Sequence, residues 1–246
     1  VAWYLGELNK YQQRTGTRLL DYLDLHFYPQ GANVSLSNVV DPATRALRLR
    51  STRALWDASY IDESWIGEPV RLIPRMRDWV NQNYSGTKIA ITEYNWGALD
   101  HINGALAQAD ILGILGRERV DLALLWGMPE GNVPGTYAFR MYRNYDGLGG
   151  RFGQTSVSAT SQDQAKVAVY AAQRSDGALT IIVINKTEAA RQIELNLRGS
   201  TKTSAEVYRY SAATLTSIKK EANAAIAAGL IKTSLPASSI TLFVVK

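Results

Sequence analysis

The chain has no cysteine, which excludes disulfides, thiolate metal sites and a thiol nucleophile. It says little about compartment. Histidine is scarce, with two residues in 246. No apolar run is long enough to span a bilayer, and no secretory leader pattern opens the chain. Internal repeats and low-complexity linkers are absent as well. What remains is ordinary for a globular protein: 46% hydrophobic and 20% charged residues, at a length that allows a large core in one or two domains. The net charge of +5 and an isoelectric point near 9.3 raise the question of nucleic acid. The basic residues answer it poorly. Arg45, Arg48, Arg50 and Arg53 form the one cluster, at a spacing that reads as a solvated helix face. Neither a nucleic-acid partner nor a membrane is expected.

Residues 1–152 alternate between helical and strand patterns. Ala2, Leu5, Leu8 and Tyr11 recur at helical spacing, with Gly16 as a stop. Val1 to Tyr11 reads as mid-helix, so the chain is expected to begin inside a fold. Leu20 to Tyr28 then alternates with period two. Leu23, Leu25 and Phe27 point one way, and Tyr22, Asp24, His26 and Tyr28 the other. Asp41-Pro42 opens a helix running to about Trp56, the aspartate capping and the proline filling the first turn. Glu68-Pro69 opens another, through Leu72, Met76, Trp79 and Val80 to Gly86. A strand from Lys88 to Glu93 follows. Asp100 caps a helix bearing Ile102, Leu106, Ala109 and Leu112. A third strand spans Val120 to Trp126, and a short helix Thr136 to Asn144.

The rhythm changes after Gly149-Gly150-Arg151-Phe152-Gly153. Val167–Gln173, Leu179–Asn185, Gln192–Leu197, Ala205–Tyr210 and Ile240–Val245 read as short strands between polar turns, and alanine-rich Ile218–Leu230 as a helical insertion. This predicts a β-sandwich over 153–246. Three parallel strands cannot close a (β/α)8 barrel. Residues 1–152 therefore read as the closing portion of a TIM barrel whose opening portion lies outside this sequence.

Ile89-Ala90-Ile91-Thr92-Glu93-Tyr94-Asn95-Trp96-Gly97 carries the chemistry. A β-branched run of strand length ends in a carboxylate, so Glu93 sits where a buried strand surfaces, the catalytic rim of a barrel. A carboxylate held there and ringed by aromatics suits a sugar-cleaving nucleophile. Tyr94, Asn95 and Trp96 are candidate substrate contacts, with Tyr94 bonding the carboxylate and Trp96 stacking on a pyranose. Gly97 lets the backbone turn. His26 and Tyr28 end the preceding strand on one face, beside Glu93. Trp126 ends the next strand as a hydrophobic sugar platform, and Trp65 lies in an aromatic loop with Trp56 and Tyr60. Glu130 is the second carboxylate nearest Glu93, but adjacent strands rarely straddle one bond. Asp57, Asp62 and Glu63 could hold a structural calcium, although their spacing fits no EF-hand.

The stretches Leu20 to Gln30, Ile91 to Gly97 and Leu124-Leu125-Trp126-Gly127, with Tyr142 to Gly147 leading to Arg151-Phe152-Gly153, resemble glycoside hydrolase family 44. The resemblance implies a secreted, retaining endo-β-1,4-glucanase, often active on xyloglucan or xylan, built as a (β/α)8 barrel plus a β-sandwich and needing no cofactor. It makes Glu93 the nucleophile on strand seven, His26 and Tyr28 the end of strand six, and Trp126 the end of strand eight. The acid/base glutamate would end strand four, before Val1, in a complementary N-terminal half; this chain alone is then expected to be inactive. Gly67-Glu68-Pro69 superficially resembles the Asn-Glu-Pro of a glycosidase acid, but precedes a helix, where Glu68 serves as a favourable N-terminal charge. The alternatives are another barrel-plus-sandwich glycosidase, such as a xylanase or arabinofuranosidase, and a non-catalytic carbohydrate-binding remnant.

Overall fold

A computed structural model describes all residues from Val1 to Lys246. The first part is a three-stranded parallel sheet in the order β1-β2-β3, built from β1 (Tyr22–Phe27), β2 (Lys88–Tyr94) and β3 (Leu122–Leu125). It is an open sheet, not a closed barrel. Five helices connect or flank its strands: α1 (Ala2–Thr15), α2 (Pro42–Ser51) continued by a 3-10 turn at Thr52–Leu55, α3 (Leu72–Asn83), α4 (Ile102–Arg117) and α5 (Pro134–Arg143).

The local signals mostly act as the sequence suggests. Gly16 ends α1 in the left-handed conformation, at φ 75°. Asp41 caps α2 by accepting from the backbone N–H groups of Ala43 and Thr44 at 3.0 and 3.1 Å, which satisfies two orphan donors of the first turn. Two helix starts differ from expectation. α3 begins at Leu72, after Arg71 at φ 34°. The carbonyl of Pro69 is instead taken by the Arg75 guanidinium at 2.7 Å. α4 is capped by His101, whose Nδ1 accepts from the Asn103 N–H at 3.0 Å, and not by Asp100.

The second part is a six-stranded antiparallel sheet in the order β4-β5-β6-β11-β8-β9. Its strands are β4 (Thr155–Val157), β5 (Val167–Gln173), β6 (Leu179–Asn185), β8 (Ser204–Ser211), β9 (Thr214–Ala225) and β11 (Ser239–Val245). A separate ribbon pairs β7 (Arg191–Asn196) with β10 (Leu230–Leu235). Alternation divides the buried residues of the large sheet's inner strands between two cores. Tyr170, Ile182, Leu242 and Tyr208 stand in one cross-strand row and pack with the helices in a cluster of 39 buried residues. The intervening Val169, Ile181, Val183, Val207 and Phe243 join Ile231 and Leu235 of the ribbon in a second cluster of 11.

The central joint is α4, buried along nearly its whole length. Gly113 lets it approach the sheet closely, because a Cβ there would lie 2.2 Å from the Tyr170 ring. Beside it Asp110 accepts from Lys186 Nζ at 2.6 Å, Thr52 Oγ1 at 2.7 Å and the Tyr170 phenol at 2.7 Å, all buried. A buried charge survives only with such full compensation.

Two expectations are corrected. Alanine-rich Ile218–Leu230 is not a helical insertion: Thr214–Ala225 is strand β9, paired along β8, and Leu230 opens β10. The open edge of β8 supplies backbone partners that outweigh alanine's helical preference. Nor do the four arginines form one solvated face. Arg45, Arg50 and Arg53 pair with Glu188, Glu63 and Asp57 at 2.8, 2.7 and 2.7 Å. Arg48 is fully buried, at 0% exposure.

Candidate active site

The strand ends of the parallel sheet converge at Glu93, and an irregularity of β2 makes the site. In the β1–β2 ladder, Asp24 faces Ala90 but His26 faces Glu93. In the β2–β3 ladder, Ile91 faces Ala123 but Tyr94 faces Leu125. Both registers therefore give β2 one extra residue after Ile91. Such a bulge suspends the alternation of side chains and re-aims them. Consecutive Thr92 and Glu93 thereby both reach the alternate residues Asp24 and His26 of β1 and Tyr28 just beyond it.

One carboxylate oxygen of Glu93, Oε2, accepts from the Tyr28 phenol at 3.0 Å and lies 3.2 Å from His26 Nδ1. The Glu93 side chain retains 27% exposure and that of His26 51%. Oε1 makes no hydrogen bond to the protein. The Tyr28 phenol is pushed above its ordinary range, first by burial and then by its bond to Glu93 and the charge there, so it acts as a donor. Thr92 carries a second set of bonds. Its N–H and Oγ1 donate to the two Asp24 oxygens at 3.0 and 2.5 Å, and its Oγ1 lies 3.3 Å from His26 Nε2.

The residues after Glu93 do a different job from the one the sequence suggests. Tyr94 and Trp96 are buried in the core, Trp96 at 2% exposure. The Tyr94 phenol accepts from Gln108 at 2.9 Å, and burial raises it to about 12; it does not reach the Glu93 carboxylate. Trp96 cannot stack on a sugar, because its ring packs 5.7 Å from that of Phe27 and its Nε1 donates to Ser51 Oγ at 3.0 Å. Asn95 is also buried. It donates to the Trp126 carbonyl and accepts from the Gly97 N–H, each at 2.6 Å, and so ties the end of β2 to the end of β3. Gly97 is required at φ 73°, since a Cβ would come within 2.4 Å of the Val34 and Ser37 carbonyls.

The aromatic pair beyond the carboxylate is accessible. Trp126 is 53% exposed and Trp65 82%. Trp65 Nε1 donates to Gln30 Oε1 at 3.3 Å, and Gln30 Nε2 donates to the Tyr28 carbonyl at 2.8 Å. This brings the aromatic loop to the end of β1. Glu68 and Glu130 are exposed, and Glu68 lies 4.0 Å from Arg75. The acidic trio does not converge on an ion site: Asp57 bonds Arg53 and Ser59, Asp62 bonds Ser64, and Glu63 bonds Arg50 and Tyr60. No group of three or more histidines and carboxylates in the structure is disposed to share a metal ion.

Arg48 supports the site from below. Its guanidinium donates to the carbonyls of Trp96 (2.7 Å), Asn33, Ser37 and Val39 (3.0–3.3 Å) and to Asn103 Oδ1 at 2.8 Å. Burial lowers its affinity for protons, but an arginine stays charged. The loop after β1 and the turn after β2 thus hang on one cation. Helical periodicity alone could not have separated Arg48 from its exposed neighbours.

Comparison with known proteins shows what the chain as a whole is similar to. The profile of glycoside hydrolase family 44 matches residues 1–31, and that of the glycosyl hydrolase family 30 beta sandwich domain matches residues 154–215. A solved bifunctional glucanase-xylanase from a metagenome library is 46% identical with a TM-score of 0.96, over 100% of this chain and 47% of its own. A family 44 xyloglucanase of Paenibacillus polymyxa is 32% identical with a TM-score of 0.92, over 100% of this chain and 50% of its own. The beta-mannanase/endoglucanase A of Caldicellulosiruptor saccharolyticus is 34% identical over 85% of this chain and 17% of itself. Homology to family 44 endoglucanases and xyloglucanases thus runs along nearly the whole chain, which spans about half the length of these solved relatives and less of the curated one.

Proposed function

We propose that this chain is the nucleophile-bearing portion of a secreted, retaining endo-β-1,4-glucanase of glycoside hydrolase family 44. The observation that supports it most directly is the asymmetry of Glu93: Oε2 is held by Tyr28 and His26, while Oε1 is free. A carboxylate anchored through one oxygen presents the other in a fixed direction, which is what in-line attack needs. In this reading Oε1 forms a bond to the anomeric carbon as the glycosidic C–O bond breaks. The departing oxygen takes its proton from a second carboxylic acid, which then draws a proton from water as the glycosyl ester is hydrolysed. That second acid would stand about 5–5.5 Å from Glu93. Trp126 and Trp65 would bind pyranose faces on either side of the bond.

We assign the second acid to the remainder of the polypeptide. The open face of the parallel sheet leaves Tyr22, Leu122 and Leu124 exposed together, and an exposed apolar cluster of this kind marks a surface that something covers. Closing strands there would make β1, β2 and β3 the sixth to eighth of a (β/α)8 barrel. Residues 1–152 would then be its final portion and 153–246 the sandwich domain. A second activity on xylan is favoured by the 46% identity to a relative described as a glucanase-xylanase.

The test is Glu93→Gln in the complete polypeptide, assayed on a soluble β-1,4-glucan and on xylan. The expected result is a loss of several orders of magnitude on both, with an unchanged melting temperature. Glu93→Gly should regain turnover with azide and yield a glycosyl azide. Near-normal hydrolysis by Glu93→Gln rejects the reading.

A further inference from the structure

The contacts around His26 constrain where its protons can sit. Thr92 has one hydroxyl proton, and at 2.5 Å from the Asp24 carboxylate that proton points to Asp24. The oxygen of Thr92 is then left to accept, and the contact at 3.3 Å is satisfied by an N–H on His26 Nε2. The other ring nitrogen, Nδ1, faces Glu93 Oε2 at 3.2 Å. A neutral ring with its proton on Nε2 would aim a lone pair at a carboxylate. The Tyr28 proton is already used on the same Oε2 and cannot relieve that clash. Of the other titratable groups on β1 and β2, Tyr94 is buried in the core with its phenol bonded by Gln108 at 2.9 Å, and Tyr22 and Lys88 sit at the opposite end of the strands, Nζ over the ring at 5.3 Å.

We propose that Asp24, acting through Thr92, holds His26 doubly protonated against Glu93, so that the attacking carboxylate works as half of a charge-compensated pair. Asp24 and Thr92 are positioning residues in this scheme, which rests on the reading of Glu93 as the nucleophile. The β2 bulge is what makes it possible, because only there do consecutive residues bond the carboxylate and the imidazole of one neighbouring strand. The imidazolium restrains Glu93 as a carboxylate with Oε1 free. It also assists the return of charge to Oε2 when the ester is cleaved.

The experiment uses the complete enzyme with 15N-labelled histidine, the His26 signal being assigned by its loss in His26→Asn. At neutral pH the wild-type ring should show two protonated nitrogens. Asp24→Asn and Thr92→Val should convert it to a neutral ring and lower kcat on soluble glucan by about tenfold or more, as when a carboxylate that sets a histidine's tautomer is removed, with KM changing little. Thr92→Ser keeps the hydroxyl and should restore both readouts. A neutral wild-type ring, or Asp24→Asn with an unchanged ring and unchanged kcat, overturns the proposal. Glu93→Gln, measured alongside, separates the two questions: if that variant is inactive while Asp24→Asn behaves as wild type, the nucleophile stands and only the relay falls.

Discussion

The two sheets of this molecule are built to opposite specifications. The antiparallel sheet is packed on both faces: every residue of β11 is buried, as are six of the seven in β6. The parallel sheet is packed on one face only. Leu23, Phe27, Ile89 and Ile91 join the helices, while Tyr22, Asp24, His26, Leu122 and Leu124 remain exposed. Where both faces are buried, period-two alternation divides residues between two cores and leaves no polar side chain free to act. Where one face is open, the same alternation lines up Asp24, His26 and Tyr28, and a single extra residue in β2 delivers Thr92 and Glu93 to them. The candidate site lies on the sheet with the open face.

That contrast can be broken by exchanging the consequences of mutation. The largest effect on activity should come from Glu93→Gln on the open face, which removes turnover and leaves stability within about 0.5 kcal/mol, as for other substitutions outside the core. Phe243→Ala, between the large sheet and the ribbon, should do the reverse. It should cost about 3–5 kcal/mol in denaturant unfolding with little change in kcat for the molecules still folded. Equal effects of the two on both readouts would dissolve the distinction.

The joint between the sheets can be tested next. Lys186→Met leaves the buried Asp110 carboxylate without its cation and should destabilise by about 3–5 kcal/mol. Adding Asp110→Asn should recover part of that loss, because the uncompensated charge is then gone. A cost near zero for Lys186→Met would mean that the pair does not bind the two sheets together.

A smaller effect should follow pH. Burial, and then the neighbouring charge of Arg45, lowers the His101 pKa from the usual 6.5, and its neutral Nδ1 caps α4. An unfolded chain protonates this ring first, so its contribution is complete above about pH 6.5 and is lost as pH falls through the lower folded value. His101→Asn keeps a capping acceptor without the titration. The melting temperature of wild type should therefore fall more steeply between pH 7 and 5 than that of the variant, and parallel curves would refute the assignment.

The smallest change belongs to the rim. Trp65→Ala removes a ring that is 82% exposed and should raise KM for long oligosaccharides severalfold at constant kcat, by about 1 kcal/mol of stacking. An unchanged KM would remove Trp65 from the binding surface.

The three parallel strands and the strands Val167–Gln173 and Leu179–Asn185 were legible because their patterns are local. So was the place of Glu93 at a strand end, where a buried run meets a carboxylate. Tyr94 and Trp96 misled for a physical reason. Aromatics beside a candidate nucleophile read as ligand contacts, yet both side chains are packed in the core. Arg48 was indistinguishable from its neighbours on a helix.

The sequence by itself determined the alternation, the caps at Asp41 and Gly16, and the position of the nucleophile candidate at a strand end, since each depends on residues within a few positions of one another. Only the tertiary structure decided that Thr92 and Glu93 share a side, that Arg48 is buried, that β9 is a strand, and that His26 stands between the Glu93 carboxylate and the Thr92 hydroxyl. Those outcomes depend on register between strands far apart in the chain. A register shift of one residue alters every contact without altering a single letter.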